Sequence, residues 1–591
     1  MKYFMIFVQF VLIMIFTTIF IYLLNLNFLQ CPNKDMLLWD ANIRMIQAID
    51  FFQYIFYNDY LSAFKVILDS PTWPPLRSII SIIIILFNGK PDPVLDTRVS
   101  IIFFIFTILI LFFGTLYYFN DKYKKNLINK IIIFLSIYIA ITFLFLLDQI
   151  PEYLFNSMLE IQGMFLYTFF LFLIYHIYKK QSYNKKDKWI FFTVGFLIYL
   201  TKYPYGVLIS ISFIIIEFIR DPEKFLKEIY RLISYYKSYR LIFILLPVMG
   251  VLMVIVFPYI SSEIIKTKFI KNFIYISILI SFIELNIFLY KNKIQLFSNI
   301  FGFFYKYFIF PFSVIILSHP DRFHSLLGAQ ADTIDKGRSF FRSIFYDYFI
   351  NSYGFSILML LSFAVLLYYL FIRYRYNIKK YLAEYPVINI ILFLWIHFFI
   401  LEFLTTNHQA RYIFQIIPGL LLFHSLIFLY VREELKYFII LCLGVILISN
   451  LYYIYSYPPS KRNTCFAGKD KSLFEPARII AQILPEDTKA LIFNEFHEYK
   501  KYGKQLNNPY LFIPTDIDVH IRYKIFKKGF VLNYSKYMDL SYDFKNYIYI
   551  THSCKNELKN SPYFRLKHSY YKTILEKQID PYICLKIYKK E

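Results

Sequence analysis

The sequence predicts an all-α polytopic membrane domain of about 13 transmembrane helices, followed by a small C-terminal extracytoplasmic α/β domain. Three observations carry that expectation. Of its 591 residues 58% are hydrophobic, and the mean hydropathy is +0.49. Runs such as residues 101–118 and 438–455 approach the ~20 residues a helix needs to cross a bilayer. These runs are apolar all round, and in lipid only helices and closed barrels satisfy the backbone, so they read as helices. A formal net charge of +24 does not point to nucleic acid, because the basic residues gather in short loops between spans, as orientation signals do.

In chain order, the apolar windows fall near residues 4–24, 99–119, 131–147, 161–178, 189–200, 205–219, 241–258, 273–290, 297–318, 353–372, 386–404, 412–430 and 438–455. The first follows a weakly basic start and lacks a small-residue cleavage site, so it reads as an uncleaved anchor. The fifth and sixth are short and stand as either two spans or one helix kinked at Pro204. With the N-terminus inside, the loops carrying Lys122, Lys124, Lys125 and Lys130, then Lys179, Lys180, Lys185, Lys186 and Lys188, then Arg220 to Arg240, then Arg373 to Lys380 all fall inside. The loop of residues 148–160, which has no Lys or Arg, falls outside, and this is the distribution the charge rule favours. Merging the fifth and sixth spans would move the basic Arg373–Lys380 loop outside, which argues for two. Lys266, Lys268 and Lys271 are the one misfit, since with two spans they fall outside.

The membrane domain is thus placed at residues 1–456, with a large first outer loop at 25–98, and the extracytoplasmic domain at 457–591. Pro458, Pro459, Gly468 and Pro476 open this tail, which holds a helix-like stretch at 473–484 and strand-like runs at 490–494, 547–551 and 582–588. None of the five cysteines has metal-ligand spacing. Gln30 before Cys31 argues against lipidation. Cys465, Cys554 and Cys584 lie in the tail, where one disulfide is expected if the tail is outside the cell.

Residues able to do chemistry gather on the outer side. In the first loop Asp40, Arg44, Gln47 and Tyr54 line one helix face, while Ile43, Ile46, Ile49 and Phe52 form another, as in a helix lying in the membrane interface. Asp40 is either a carboxylate facing water or a cavity, or only an N-cap tied to Arg44. Pro71, Pro74 and Pro75 forbid a helix at the following turn, and the apolar run at 79–87 is too short to span. Glu160 stands where the outer loop enters the fourth span; a carboxylate there is costly unless it meets a cavity or a partner. Lys202, in the turn Thr201-Lys202-Tyr203-Pro204, either snorkels or binds an anion. Arg411, in Asn407-His408-Gln409-Ala410-Arg411-Tyr412, is either an interfacial anchor or a planar fork for phosphate. The run His319-Pro320-Asp321-Arg322-Phe323-His324 adds charge on the same side without metal-ligand spacing.

These pieces, in this order, resemble the C-type (GT-C) membrane glycosyltransferases, above all the protein O-mannosyltransferase-like and lipid A aminoarabinose transferase-like branch. The resemblance covers residues 1–456 and rests on Asp40, Pro74-Pro75-Leu76, the run 79–89, Arg98, Glu160, Thr201-Lys202, Arg411-Tyr412 and Pro418. It implies an inverting hexosyl- or pentosyltransferase of the cell envelope. Such an enzyme moves a sugar from a polyprenyl-phosphate donor to an extracytoplasmic lipid, glycan or protein acceptor. Asp40 would be the base within reach of the acceptor hydroxyl, and Glu160 a second catalytic carboxylate that orients a substrate. Lys202 and Arg411 would hold the donor phosphate and its developing charge. Arg44, Tyr203, His408 and Arg322 are candidates for substrate contacts. The chain departs from the family in having Ala41 after Asp40, where many relatives carry a second acid. No metal ligand is assigned, and a divalent cation is left open. The implied setting is the plasma (inner) membrane, with the N-terminus cytoplasmic and no nucleic acid as partner.

Two other classes compete. A transporter or flippase predicts ionisable residues near the middle of several spans, and only Glu284 and Lys306 stand out there. A non-catalytic glycan-assembly protein is the third reading.

Overall fold

A computed structural model describes residues 2–235 (apart from 36, 38, 57, 69–73 and 181), 268–291, 299–323, 353–373, 377–404 and 410–465, together with four strands further along. Among these residues nine helices are long and apolar enough to cross a membrane. The predicted span at 241–258, the helix-like stretch at 473–484, His408 and Cys554 lie outside the described residues.

The chain runs through α1 (Lys2–Gln30), then α2 (Trp39–Phe56), α3 (Tyr60–Leu68) and α4 (Leu76–Asn88). The expected polar loop after the first span is therefore largely helical. It continues as α5 (Pro93–Tyr118), α6 (Leu127–Leu146), the short α7 (Ile150–Leu154), α8 (Glu160–Lys180), α9 (Lys185–Thr201), α10 (Tyr203–Arg220) and α11 (Pro222–Tyr235). After α12 (Lys268–Lys291) and α13 (Ile300–Leu317) come α14 (Tyr353–Tyr368), α15 (Pro386–Leu404), α16 (Ile417–Tyr430) and α17 (Glu433–Ser456).

Local chemistry sets these boundaries. Asp92 caps α5 by accepting from Leu95 N at 3.0 Å, with Pro93 at the first helical position, where its missing N–H costs nothing. Asn184 and Asp187 form a reciprocal capping box on α9. Gly89, at φ 73°, ends α4 in the left-handed conformation that glycine adopts without strain. Lys202 is extended between α9 and α10 (φ −157°, ψ 108°), so the fifth and sixth windows are two helices broken at Lys202, not one kinked at Pro204.

Side-chain pairs give the helix directions. At one end, Gln162 on α8 meets Thr201 at the end of α9 (3.0 Å). At the other, Asp187 at the start of α9 meets His176 (3.6 Å) and Lys180 (3.3 Å) on α8, and Glu217 at the end of α10 accepts from Tyr178 (3.3 Å). The helices α8, α9 and α10 therefore alternate in direction, with Glu160, Thr201 and Lys202 sharing one end. Aromatic rings pack helices elsewhere in the bundle: Phe213 of α10 stacks on Phe304 of α13 at 3.8 Å, and Phe20 of α1 on Phe145 of α6 at 4.2 Å between ring centres. Glycines allow close approach near the Glu160 end: a Cβ at Gly206 would stand 1.4 Å from the Tyr199 ring, and one at Gly163 2.5 Å from the Tyr205 ring.

The segment that leaves α17 folds back on α1. The Asn27 amide donates to the carbonyls of Pro459 (3.1 Å), Ser460 (2.7 Å) and Arg462 (3.2 Å). Cys31, just past α1, is disulfide-bonded to Cys465 across a Cα–Cα distance of 5.5 Å. This corrects the expectation of a bridge within the tail: the partner of Cys465 lies 434 positions earlier, a pairing that spacing in the sequence does not reveal. Beyond it, the strands Ala490–Asn494 (β1), Tyr547–Ser553 (β2), Tyr571–Gln578 (β3) and Ile583–Lys590 (β4) form a sheet of order β1-β2-β4-β3. The first pair is parallel and the other two are antiparallel. Three of the strands match the sequence expectation; β3 was not foreseen.

Candidate functional site

Glu160 is the centre of an ion cluster at the end of the bundle that also carries the disulfide. It opens α8, where the partial positive charge of a helix N-terminus favours an acid, yet it is only 2% exposed. Its Oε1 lies 3.5 Å from Lys202 Nζ and 3.8 Å from Arg411 Nε. Arg44 on α2 adds a third cation acting on the same carboxylate. Glu160 Oε2 is buried and accepts no hydrogen bond among the described residues. A buried oxygen left in that state is costly unless something else supplies a donor.

Each cation reaches the cluster for a local reason. Lys202 sits at the single extended residue between two antiparallel helices, and its ammonium lies over the rings of Tyr412 (4.2 Å) and Tyr205 (5.1 Å). Arg411 belongs to a 3-10 turn at Ala410–Ile413 that precedes α16, and its guanidinium lies 5.2 Å from the Tyr412 ring centre. Such faces attract cations through their ring quadrupole. Arg44 is buried and donates to the Ser157 carbonyl at 3.3 Å. The interfacial-helix expectation for α2 is corrected here: Arg44 points into the protein and not toward water, and Gln47 accepts from Ser78 of α4 at 2.7 Å.

Tyrosines surround the ions. Tyr153 on α7 hydrogen-bonds Arg411, and its hydroxyl is pushed up from its ordinary value first by burial and then by the Glu160 charge. It therefore stays protonated and able to donate. The Tyr205 hydroxyl is buried without a partner among the described residues, as is the Gln162 Oε1. The cluster thus holds one carboxylate, three cations and several unspent hydrogen-bonding atoms. That composition suits an anion.

The structure brings together four of the eight residues singled out from sequence. Glu160, Lys202, Arg411 and Arg44 converge. Asp40 lies in the first turn of α2, one turn before Arg44 on the same helix face. Tyr203 follows Lys202 and is buried. Arg322 does something different: it donates to the carbonyls of Ile315 (3.1 Å) and Leu68 and to the Ser318 hydroxyl (3.2 Å), fastening α3 of the first loop to the end of α13. Arg98 is also a fastener; it bonds Asn25 and lies over the rings of Phe28 (5.3 Å) and Phe155 (5.5 Å). The buried pair Arg77–Asp96 (2.9 Å) was missed. The signal was present in the sequence, as Arg77 alone at the head of an apolar run and Asp96 at the start of the next, close together in the chain.

Among the described residues no three His, Cys, Asp or Glu side chains stand together as a metal site. Glu160 also does not suit a resident dication, since Lys202 and Arg411 already crowd its Oε1.

No protein-family model matches the chain, and no curated protein is significantly similar to it. Among solved structures the chain is similar to an archaeal oligosaccharyltransferase, AglB from Archaeoglobus fulgidus, in complex with an inhibitory peptide and a dolichol-phosphate. The identity is 14% and the TM-score 0.42, over 88% of this chain. The chain spans 64% of that neighbour's length.

Proposed function

We propose that this chain is an integral membrane glycosyltransferase that moves a sugar from a polyprenyl phosphate to an acceptor hydroxyl or amide on the extracytoplasmic face. The observation that carries the reading is the Glu160 cluster, where three cations outnumber one carboxylate at a buried point with an unsatisfied oxygen. A lipid phosphate needs little acid help to leave; it needs fixed positive charge and donors where its negative charge develops. Lys202 and Arg411 have that chemistry, and Tyr153 and Tyr205 have hydroxyls to add. Glu160 keeps the two cations apart and oriented, and its Oε2 is available to a sugar or acceptor hydroxyl. Asp40, on the Arg44 face of α2, is the base that takes the acceptor proton as the acceptor oxygen or nitrogen attacks the anomeric carbon. Attack on the face opposite the phosphate inverts that carbon.

The sidedness has two supports. The Lys-rich loops cluster at the opposite end, through Lys179, Lys180, Lys379 and Lys436, and such loops stay cytoplasmic. The disulfide stands at the Glu160 end, and disulfides persist in oxidising compartments. A transport reading has less to stand on. Lys306 lies beside Tyr307 (5.6 Å) in a π-helical turn of α13, and Glu284 lies on α12; no ion pair joins them among the described residues.

The test is Asp40→Asn in purified protein supplied with a polyprenyl-phosphate sugar. Transfer is expected to collapse while insertion and the Glu160 cluster persist. Retained transfer would remove Asp40 from the role of base.

A further inference from the structure

The stretch that delivers Glu160 is gripped by a buried ion pair remote from the cluster itself. Arg77 follows the Pro74-Pro75-Leu76 turn on α4 and is 1% exposed; Asp96 in the first turn of α5 is 0% exposed. One guanidinium nitrogen, Nη2, reaches both the Asp96 carboxylate (2.9 Å) and the Asp96 carbonyl (2.6 Å). The same carboxylate accepts from Ser81 on α4 at 2.7 Å and from the Ser157 hydroxyl. Ser100, one turn along α5, donates to the Asn156 carbonyl at 2.6 Å, and the Asn156 side chain accepts from Met158 N at 2.8 Å. Residues 156–157 thus form a strap tied down at two points on α5.

That strap joins two members of the cluster. The Ser157 carbonyl accepts from Arg44, and Glu160 begins α8 three residues later. Moving Ser157 therefore moves Arg44 through its hydrogen bond and Glu160 through the chain. A buried ion pair costs much desolvation and is rarely kept for stability alone, since apolar residues of similar volume often serve as well.

We propose that Arg77 and Asp96 are positioning residues: their ion pair grips Ser157 and so holds Arg44 and Glu160 in register with Lys202 and Arg411, which take the anion. The inference rests on the phosphate-binding reading above, and it extends that reading to two residues that touch no substrate.

Two serine substitutions decide it. Ser157→Ala and Ser81→Ala each remove one hydrogen bond from the same carboxylate, but only the first releases the strap. Polyprenyl phosphate is titrated into the detergent-purified full chain. Because small misplacement of a binding group is costly, Ser157→Ala is expected to weaken binding by roughly tenfold, with Ser81→Ala left as wild type. The paired change Arg77→Met with Asp96→Leu keeps an apolar filling and is expected to weaken binding as Ser157→Ala does, with little loss of melting temperature. Equal effects of the two serine changes, or wild-type binding by the paired variant, would overturn the proposal. Hydrogen exchange at residues 156–160 separates this failure from that of the phosphate reading. If Lys202→Ala and Arg411→Ala bind polyprenyl phosphate as wild type does, the phosphate reading fails. Faster exchange at the strap in Ser157→Ala but not in Ser81→Ala would still uphold the positioning role, and unchanged exchange in both would remove it.

Discussion

The two ends of the bundle differ in how their ion pairs meet water: the basic end carries exposed pairs beside the partly buried Arg220–Glu217 pair (2.7 Å), and the other end carries the Glu160 cluster. At the basic end Lys179 and Asp121 pair at 3.1 Å with 40% and 59% of their side chains exposed, and Lys125 and Glu433 pair at 3.9 Å with 62% and 46% exposed. At the other end Lys202 and Arg411 are 17% and 14% exposed and share a carboxylate that is 2% exposed. Water screens the first set, so such pairs contribute little to stability. The second set has given up its water, and its interactions are strong and unforgiving. The contrast locates the costlier arrangement: three cations gather around one largely buried acid whose Oε2 accepts no hydrogen bond among the described residues.

The comparison breaks most readily at Glu160. Glu160→Gln frees Lys202 and Arg411 from the carboxylate that orients them and removes an acceptor, and transfer rate is expected to fall by about a hundredfold, the scale for misplaced positioning groups. Next comes the covalent tie at the same end. Cys31→Ser, or reduction of the wild type, frees the stretch after α17 and is expected to cost about 2–4 kcal/mol of stability, read as a lower melting temperature and faster proteolysis near residue 465. Arg411→Lys keeps the charge but loses the planar fork, and donor affinity is expected to drop by roughly tenfold, read in the donor KM. The smallest effect belongs to the basic end. Lys179→Ala together with Asp121→Ala removes an exposed pair worth at most about 1 kcal/mol, and both melting temperature and transfer are expected to stay near wild type. A large loss from that last variant would erase the distinction between the ends.

Much of this was legible in the sequence. Glu160, Lys202 and Arg411 stood out because a charge beside a long apolar run must have a reason to be there. The split between α9 and α10 followed from loop charge, since only two spans keep the Arg373–Lys380 loop with its basic fellows. Other features were hidden because they depend on contacts between distant segments. The Cys31–Cys465 bridge needs α1 and the stretch after α17 to end side by side, and no spacing rule encodes that. The polar face of α2 was read as the outer side of an interfacial helix, open to water or a cavity, because amphipathic periodicity does not say whether that side meets water or a buried partner such as the Ser157 carbonyl. Arg322 looked like a ligand for substrate and instead bonds backbone carbonyls; its residue type alone fits both uses.

The most direct test of the central claim is a structure of the full chain in a lipid nanodisc with polyprenyl phosphate. The phosphate is expected at hydrogen-bonding distance from Lys202 Nζ and the Arg411 guanidinium, beside Glu160. Phosphate seated among the lysines at the opposite end, with the Glu160 cluster unchanged and closed, would contradict it.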